Sequence, residues 1–219
     1  MKMNHRAFTA PLAAALVLAF WAGSLQAQSM TAYWPRPGSK VKIDGDSTIH
    51  KWTVEGSIIG GKMELDSKLQ IVANPPSFPV GKVNAKVDVS IPVTSLKSGK
   101  DLMDNIMYDA MKQTNFAKIL YSLKELTLKE DPKAGSPLEF DSVGDLTVSG
   151  VKKTINMPVK MEPMEGDKVK VTGSAKVKMT DFGIQPPSPK ISGGLIKTDD
   201  DVTVSIEWIT LRRPEAAAK

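Results

Sequence analysis

Apolar and polar residues alternate one by one along much of the chain. Val169, Val171, Gly173, Ala175, Val177 and Met179 fall on one side of a segment whose other side carries Lys168, Lys170, Thr172, Ser174, Lys176 and Lys178. Val83, Ala85, Val87, Val89 and Ile91 are opposed in the same way by Asn84, Lys86, Asp88 and Ser90. Val202, Val204, Ile206 and Trp208 repeat the period near the C-terminal end, as Met63, Leu65, Leu69 and Ile71 do nearer the start. Successive side chains of a strand point to opposite faces, so a period of two predicts strands with one dry and one wet face. Turn chemistry separates the runs: Gly60-Gly61 reads as a two-residue hairpin turn, and residues 74–79, 131–137 and 163–168 as loops. The total is eight or nine strands. It depends on whether 39–44 and 47–59 are two strands or one bent at Gly45, and Gly144-Asp145 is a candidate bulge in a later strand.

One segment has a different period. Met103, Ile106, Met107, Ala110 and Met111 are spaced for one face of a short helix near Asp101 to Lys112, with Ser98 and Asp101 at capping-box spacing before it. The predicted fold class is therefore all-β, an antiparallel lipocalin-like barrel of about eight strands with one short helix that packs against its mouth or bridges two strands. The same strands would also make a sandwich. A sandwich fills its centre with side chains, whereas an eight-stranded barrel has room for one small ligand, as in lipocalins. The inward positions include Gly56, Ala85, Val87, Val148, Gly173 and Ala175, small residues that leave space unless large neighbours such as Trp52 and Trp208 fill it.

The first residues read as an address. A basic start (Lys2, His5, Arg6), an apolar run over 7–22 and Leu25-Gln26-Ala27 form a secretory signal peptide with cleavage after Ala27, leaving 28–219 as a single exported domain. There is no cysteine, which removes disulfides, thiolate catalysis and thiolate metal sites together. Loss of Lys2 and Arg6 with the leader lowers the formal net charge from +5 to +3. The remaining lysines are scattered without interleaved aromatics, which argues against nucleic acid and leaves transient contact with an anionic membrane surface open. Residues 185–190, with three prolines, read as a stiff loop, and 212–219 as a frayed tail.

Four stretches resemble the YceI-like family of exported, lipocalin-like, polyisoprenoid-binding proteins. They are Asp46-Ser47-Thr48-Ile49-His50-Lys51-Trp52 with Gly56; Ile91-Pro92-Val93 through Ser95-Leu96-Lys97-Ser98-Gly99 to Met103-Asp104 and Met107; Gly144-Asp145-Leu146-Thr147-Val148-Ser149-Gly150-Val151-Lys152-Lys153; and Met179-Thr180-Asp181-Phe182-Gly183-Ile184 with Pro186-Pro187. The resemblance runs from about Gly38 to Trp208, departing where Ala117 follows Phe116 in place of an expected proline. It implies an eight-stranded barrel whose lumen takes an isoprenoid chain, such as a polyprenol or the tail of an isoprenoid quinone. It implies no catalytic set and no covalent cofactor.

Inward parity, the helix face and the resemblance together nominate a lumen wall. Its members are His50, Trp52 and Val54; Ala85, Val87 and Val89; Met103, Ile106 and Met107; Leu146 and Val148; Val171, Ala175 and Val177; Phe182; and Val204, Ile206 and Trp208. His50 shares parity with Thr48, Trp52 and Val54. It is read either as an inward polar contact to a ligand head group or as a core histidine satisfied by a neighbour. Asp199-Asp200-Asp201 lacks the glycine and the distal glutamate of a Ca²⁺ loop and reads as a solvated loop, so no metal site is expected. The leading expectation is a periplasmic carrier of an isoprenoid lipid or lipoquinone, not an enzyme. A filled-core interaction module and a lipid-modifying enzyme using His50 are the alternatives, and a homodimer stays open.

Overall fold

The computed structural model describes residues 29–191 and 194–213 of the 219-residue chain; the expected leader, 1–27, lies outside them. Thirteen strand segments are formed among these residues: β1 (Met30–Pro35), β2 (Lys40–Ser47), β3 (Trp52–Gly56), β4 (Gly60–Asp66), β5 (Gly81–Val83), β6 (Ala85–Pro92), β7 (Lys118–Leu128), β8 (Leu138–Val148), β9 (Val151–Met164), β10 (Lys168–Lys178), β11 (Lys190–Ile191), β12 (Gly194–Leu195) and β13 (Thr198–Arg213). One α-helix, α1 (Asp101–Ala110), lies between β6 and β7.

Eight strands close a ring in the order β1-β4-β6-β7-β8-β9-β10-β13, all antiparallel, with β13 pairing back to β1. The 16-residue β13 serves two neighbours: Thr210 to Arg213 pair with β1, and Thr198 to Glu207 pair with β2. The β2–β3 hairpin thus extends the wall at one end of the barrel. There β3 is tied to the segment before α1 by a pair of backbone hydrogen bonds between Glu55 and Lys97 (2.9 and 2.7 Å). Closure leaves few unpaired strand edges, which suits a chain with no disulfide to hold it.

The two ends of the barrel are packed differently. At the β1 end, Tyr33, Leu65, Val83, Leu128, Leu138, Phe140 and Val169 are all buried and fill the interior, with Leu69 and Ile71 of the β4–β5 loop packed among them. Toward α1 the inward side chains stand around open space. The strands thus form the barrel and not the sandwich, with an interior filled at one end and open at the other.

Several local expectations are corrected. Gly60 and Gly61 are not a hairpin turn but lie inside β4, paired with Ser90 and Val89. Gly61 has φ +132°, and a Cβ there would sit 2.0 Å from the Asp88 carbonyl oxygen, so glycine allows the strands to approach. Leu69 and Ile71 are buried but belong to a loop, since β4 ends at Asp66. β2 and β3 are separate strands, and Gly45 lies within β2 opposite Trp52 instead of at a bend. The bulge sits on β7, between Leu123 and Glu125, across from the Gly144 where it was expected. It changes the inward parity of β7 from Ile119, Tyr121 and Leu123 to Leu126 and Leu128, because one extra residue reverses every side chain beyond it. Arg212 and Arg213 are in β13 and not in a tail, while 214–219 lie outside the described residues.

Candidate functional site: the open half of the barrel

A cavity of about 480 Å³ occupies the α1 end of the barrel, within the range of small-molecule sites. Valine, isoleucine, leucine and methionine side chains make most of its wall, contributed by β2, β3, β4, β6 to β10, β13 and α1. Of the residues nominated from sequence, His50, Trp52, Val54, Val87, Val89, Met103, Ile106, Met107, Leu146, Val148, Val171, Ala175, Val177, Phe182, Val204, Ile206 and Trp208 line it. Ala85 does not. It has the correct parity but pairs with Leu65, so it points into the filled end. Gly56 and Gly173 leave no space either. A Cβ on Gly56 would meet Val41 and Leu96 at 3.0 and 3.1 Å, and one on Gly173 would meet the Met157 sulfur at 3.1 Å.

His50 is placed at the rim and not inside. It follows β2 in the exposed 48–51 connection, where strand parity no longer applies, and its Nδ1–H donates to the Lys51 carbonyl at 2.9 Å. Trp52 reaches the wall by lying across Gly45, where a Cβ would be 2.1 Å from the indole, and its Nε1–H donates to the Asp46 carbonyl (3.0 Å). Trp208 lies at the junction with the filled end; its Nε1 is buried and makes no hydrogen bond among the described residues.

The wall also includes residues not nominated. Ile155, Met157, Val159 and Met161 alternate along β9, a period legible in the sequence. Tyr121, Leu123 and Leu126 are hidden from a simple period by the β7 bulge. Ile49, Pro187, Pro189 and Ile196 come from loops and have no periodic signal.

The mouth is built by α1, the 48–51 connection and the loop residues Pro187, Pro189 and Ile196. Met103, Ile106, Met107, Ala110 and Met111 face the cavity as spaced in the sequence. The capping box does not form: Lys100 is the N-cap, and Ser98 turns to Asp104, donating to its Oδ1 from both the backbone N–H and Oγ (2.7 Å each). Burial alone would raise the Asp104 pKa, but these bonds and Lys97, 3.6 Å away, hold it below the usual carboxylate range. Tyr108 donates to the Leu96 carbonyl (2.7 Å), and buried Ser149 donates to the Met111 carbonyl (2.9 Å), so the C-terminal half of the helix is tied to the segment that precedes it and to the β8–β9 turn. Asp199-Asp200-Asp201 is not a solvated loop but the irregular start of β13. Asp200 accepts from Thr180 N–H and Oγ1 (2.8 and 2.6 Å), fixing the turn that carries Phe182. Among the described residues no three His, Cys, Asp or Glu side chains are grouped to hold a metal ion.

A YceI-like domain profile matches residues 37–209. The chain belongs to the YceI-like family. The fold is shared with BcnA of Burkholderia cenocepacia (14% identity, TM-score 0.58, covering 78% of this chain and 95% of that one). It is also shared with a polyisoprenoid binding domain from Saccharophagus degradans implicated in plant cell wall breakdown (12%, 0.61, 84% and 100%). The Campylobacter jejuni YCEI protein is a third example (18%, 0.51, 74% and 85%). No curated protein is significantly similar in sequence.

Proposed function

We propose that this protein is a periplasmic carrier that holds an isoprenoid lipid, or the isoprenoid tail of a lipoquinone, in the open half of its barrel. The observation that carries the reading is the cavity of about 480 Å³, walled by aliphatic and methionine side chains and solid at its far end. Such a wall binds by removing hydrocarbon from water, at about 0.8 kcal/mol per buried CH₂, or roughly 3–4 kcal/mol gross per five-carbon unit. A few units supply the gross energy for micromolar binding after the loss of chain freedom. The polyisoprenoid named for the Saccharophagus degradans domain supports the same ligand class. Methionines from α1, β4 and β9, with Met179 just beyond β10, give the wall a deformable surface suited to a flexible chain. In this reading residues 1–27 direct export and are removed. Ile49 and Leu102, 60% and 61% exposed beside Lys51 and Lys100 at the mouth, make brief contact with an anionic membrane during transfer.

Native mass spectrometry of protein purified from its own host tests this directly. The expected spectrum carries an added apolar mass that is displaced by decaprenol or a decaprenyl-tailed quinone. A barrel that emerges empty and takes up neither compound would refute the proposal.

A further inference from the structure

The polar groups on the cavity wall fall into two sets. Ser47, His50, Lys100 and Thr198 are near the mouth, and the Ser47 hydroxyl is already committed to the His50 carbonyl (2.7 Å). Tyr121 and Ser142 lie deep, as does the Trp208 indole, whose Nε1 is itself buried and not presented to the cavity. Ser142 is six residues down β8 from Val148 at the upper turn, about 20 Å of strand. The Tyr121 ring is pressed against Gly144, where a Cβ would be 2.4 Å from the ring and its hydroxyl, so glycine fixes the height at which the phenol stands.

The hydrogen bonding of this pair is unequal. Ser142 donates to the Met157 carbonyl at a good 2.8 Å, which commits its proton. Tyr121 O–H donates to the Ser142 oxygen at 3.4 Å, well beyond the usual 2.7–2.8 Å for such a bond. Tyr121 is only partly buried although it faces inward, so its surface is presented to the cavity. Burial raises its pKa, and the phenol remains a donor at neutral pH. The charged wall residue Lys100 is at the rim, so nothing deep in the lumen would compensate a phosphate there.

We propose that Tyr121, set beside Ser142, is a specificity-determining donor that seats lipids head-first: a neutral head with an acceptor oxygen goes to the bottom of the lumen, with the isoprenoid chain running to the mouth. The occupant exchanges the long Tyr121–Ser142 bond for a short one to its own carbonyl or hydroxyl oxygen. Quinones and free alcohols fit this seat, and prenyl phosphates do not. The inference rests on the lumen being the binding site and adds the orientation and head-group chemistry of its occupant.

The test compares lipid-free wild type with Tyr121→Phe, which keeps the ring over Gly144, using a decaprenyl-tailed benzoquinone, squalene and decaprenyl phosphate. Tyr121→Phe is expected to weaken the quinone about tenfold and leave squalene unchanged. In the wild type alone, the infrared carbonyl band of bound quinone shifts to lower frequency. Decaprenyl phosphate binds more weakly than the quinone and is insensitive to the substitution. Equal effects on quinone and squalene, or no effect on either together with an unshifted carbonyl band, overturn the head-first seat while leaving the lumen as a binding site. If neither quinone nor squalene enters the wild-type barrel, the proposed function itself falls.

Discussion

At the scale of single residues, glycines opposite aromatics set the shape of the cavity. Trp52 lies across Gly45 and Tyr121 across Gly144, each ring occupying the space a Cβ would need. Gly45→Ala is therefore expected to displace Trp52, break its bond to the Asp46 carbonyl and cost about 1–3 kcal/mol, readable as a lower urea midpoint. Asp104 illustrates the electrostatics. Its folded pKa is lowered, so its contribution is complete above the ordinary carboxylate value of about 3.9 and is lost as pH falls through the folded value. Asp104→Asn should then be less stable than wild type at pH 7, with the gap closing toward pH 3. A gap independent of pH would show that the charge is irrelevant.

At the scale of elements, α1 is a short amphipathic helix whose stability depends on its attachments. Ten residues are too few to hold a helix alone in water, and no side chain caps its N-terminus. Asp104–Ser98, Tyr108–Leu96 and Ser149–Met111 hold it across the opening. Removing one tie should loosen the helix and not the barrel. Tyr108→Phe is expected to raise amide hydrogen exchange severalfold over 101–111 while the amides of β8 to β10 stay protected. Uniform loss of protection would mean that the helix is part of the global folding unit.

For the whole molecule, the filled and hollow ends have different duties. The filled end supplies contiguous packing, and the hollow end gives up part of that packing for volume. A ligand that restores the missing contacts binds the folded state alone. At a hundredfold excess over Kd it should add about 2.7 kcal/mol, an increase in Tm of about 5–10 °C for a domain of this size. Ala175→Trp, on the cavity wall, should abolish that increase while keeping the barrel's circular dichroism, because it fills the lumen without removing a support. Retained uptake would show that Ala175 does not face the bound chain.

The sequence determined the class of fold, because alternation and turn residues are local properties and a period of two has one structural reading. It also determined the helix and its inward face, from Met103 to Met111, and most of the wall contributed by regular strands. Tertiary structure alone decided where the interior is empty. Ala85 and Val87 share parity and neighbourhood, yet one faces packed side chains and the other open space, since the difference lies in which distant residues meet them across the barrel. It likewise decided the placement of His50, whose strand ends before it, and of Tyr121, whose parity changes at a bulge paired with another strand. Closure through β13, which serves β1 and β2 with different halves of one strand, is long-range pairing that no local pattern encodes.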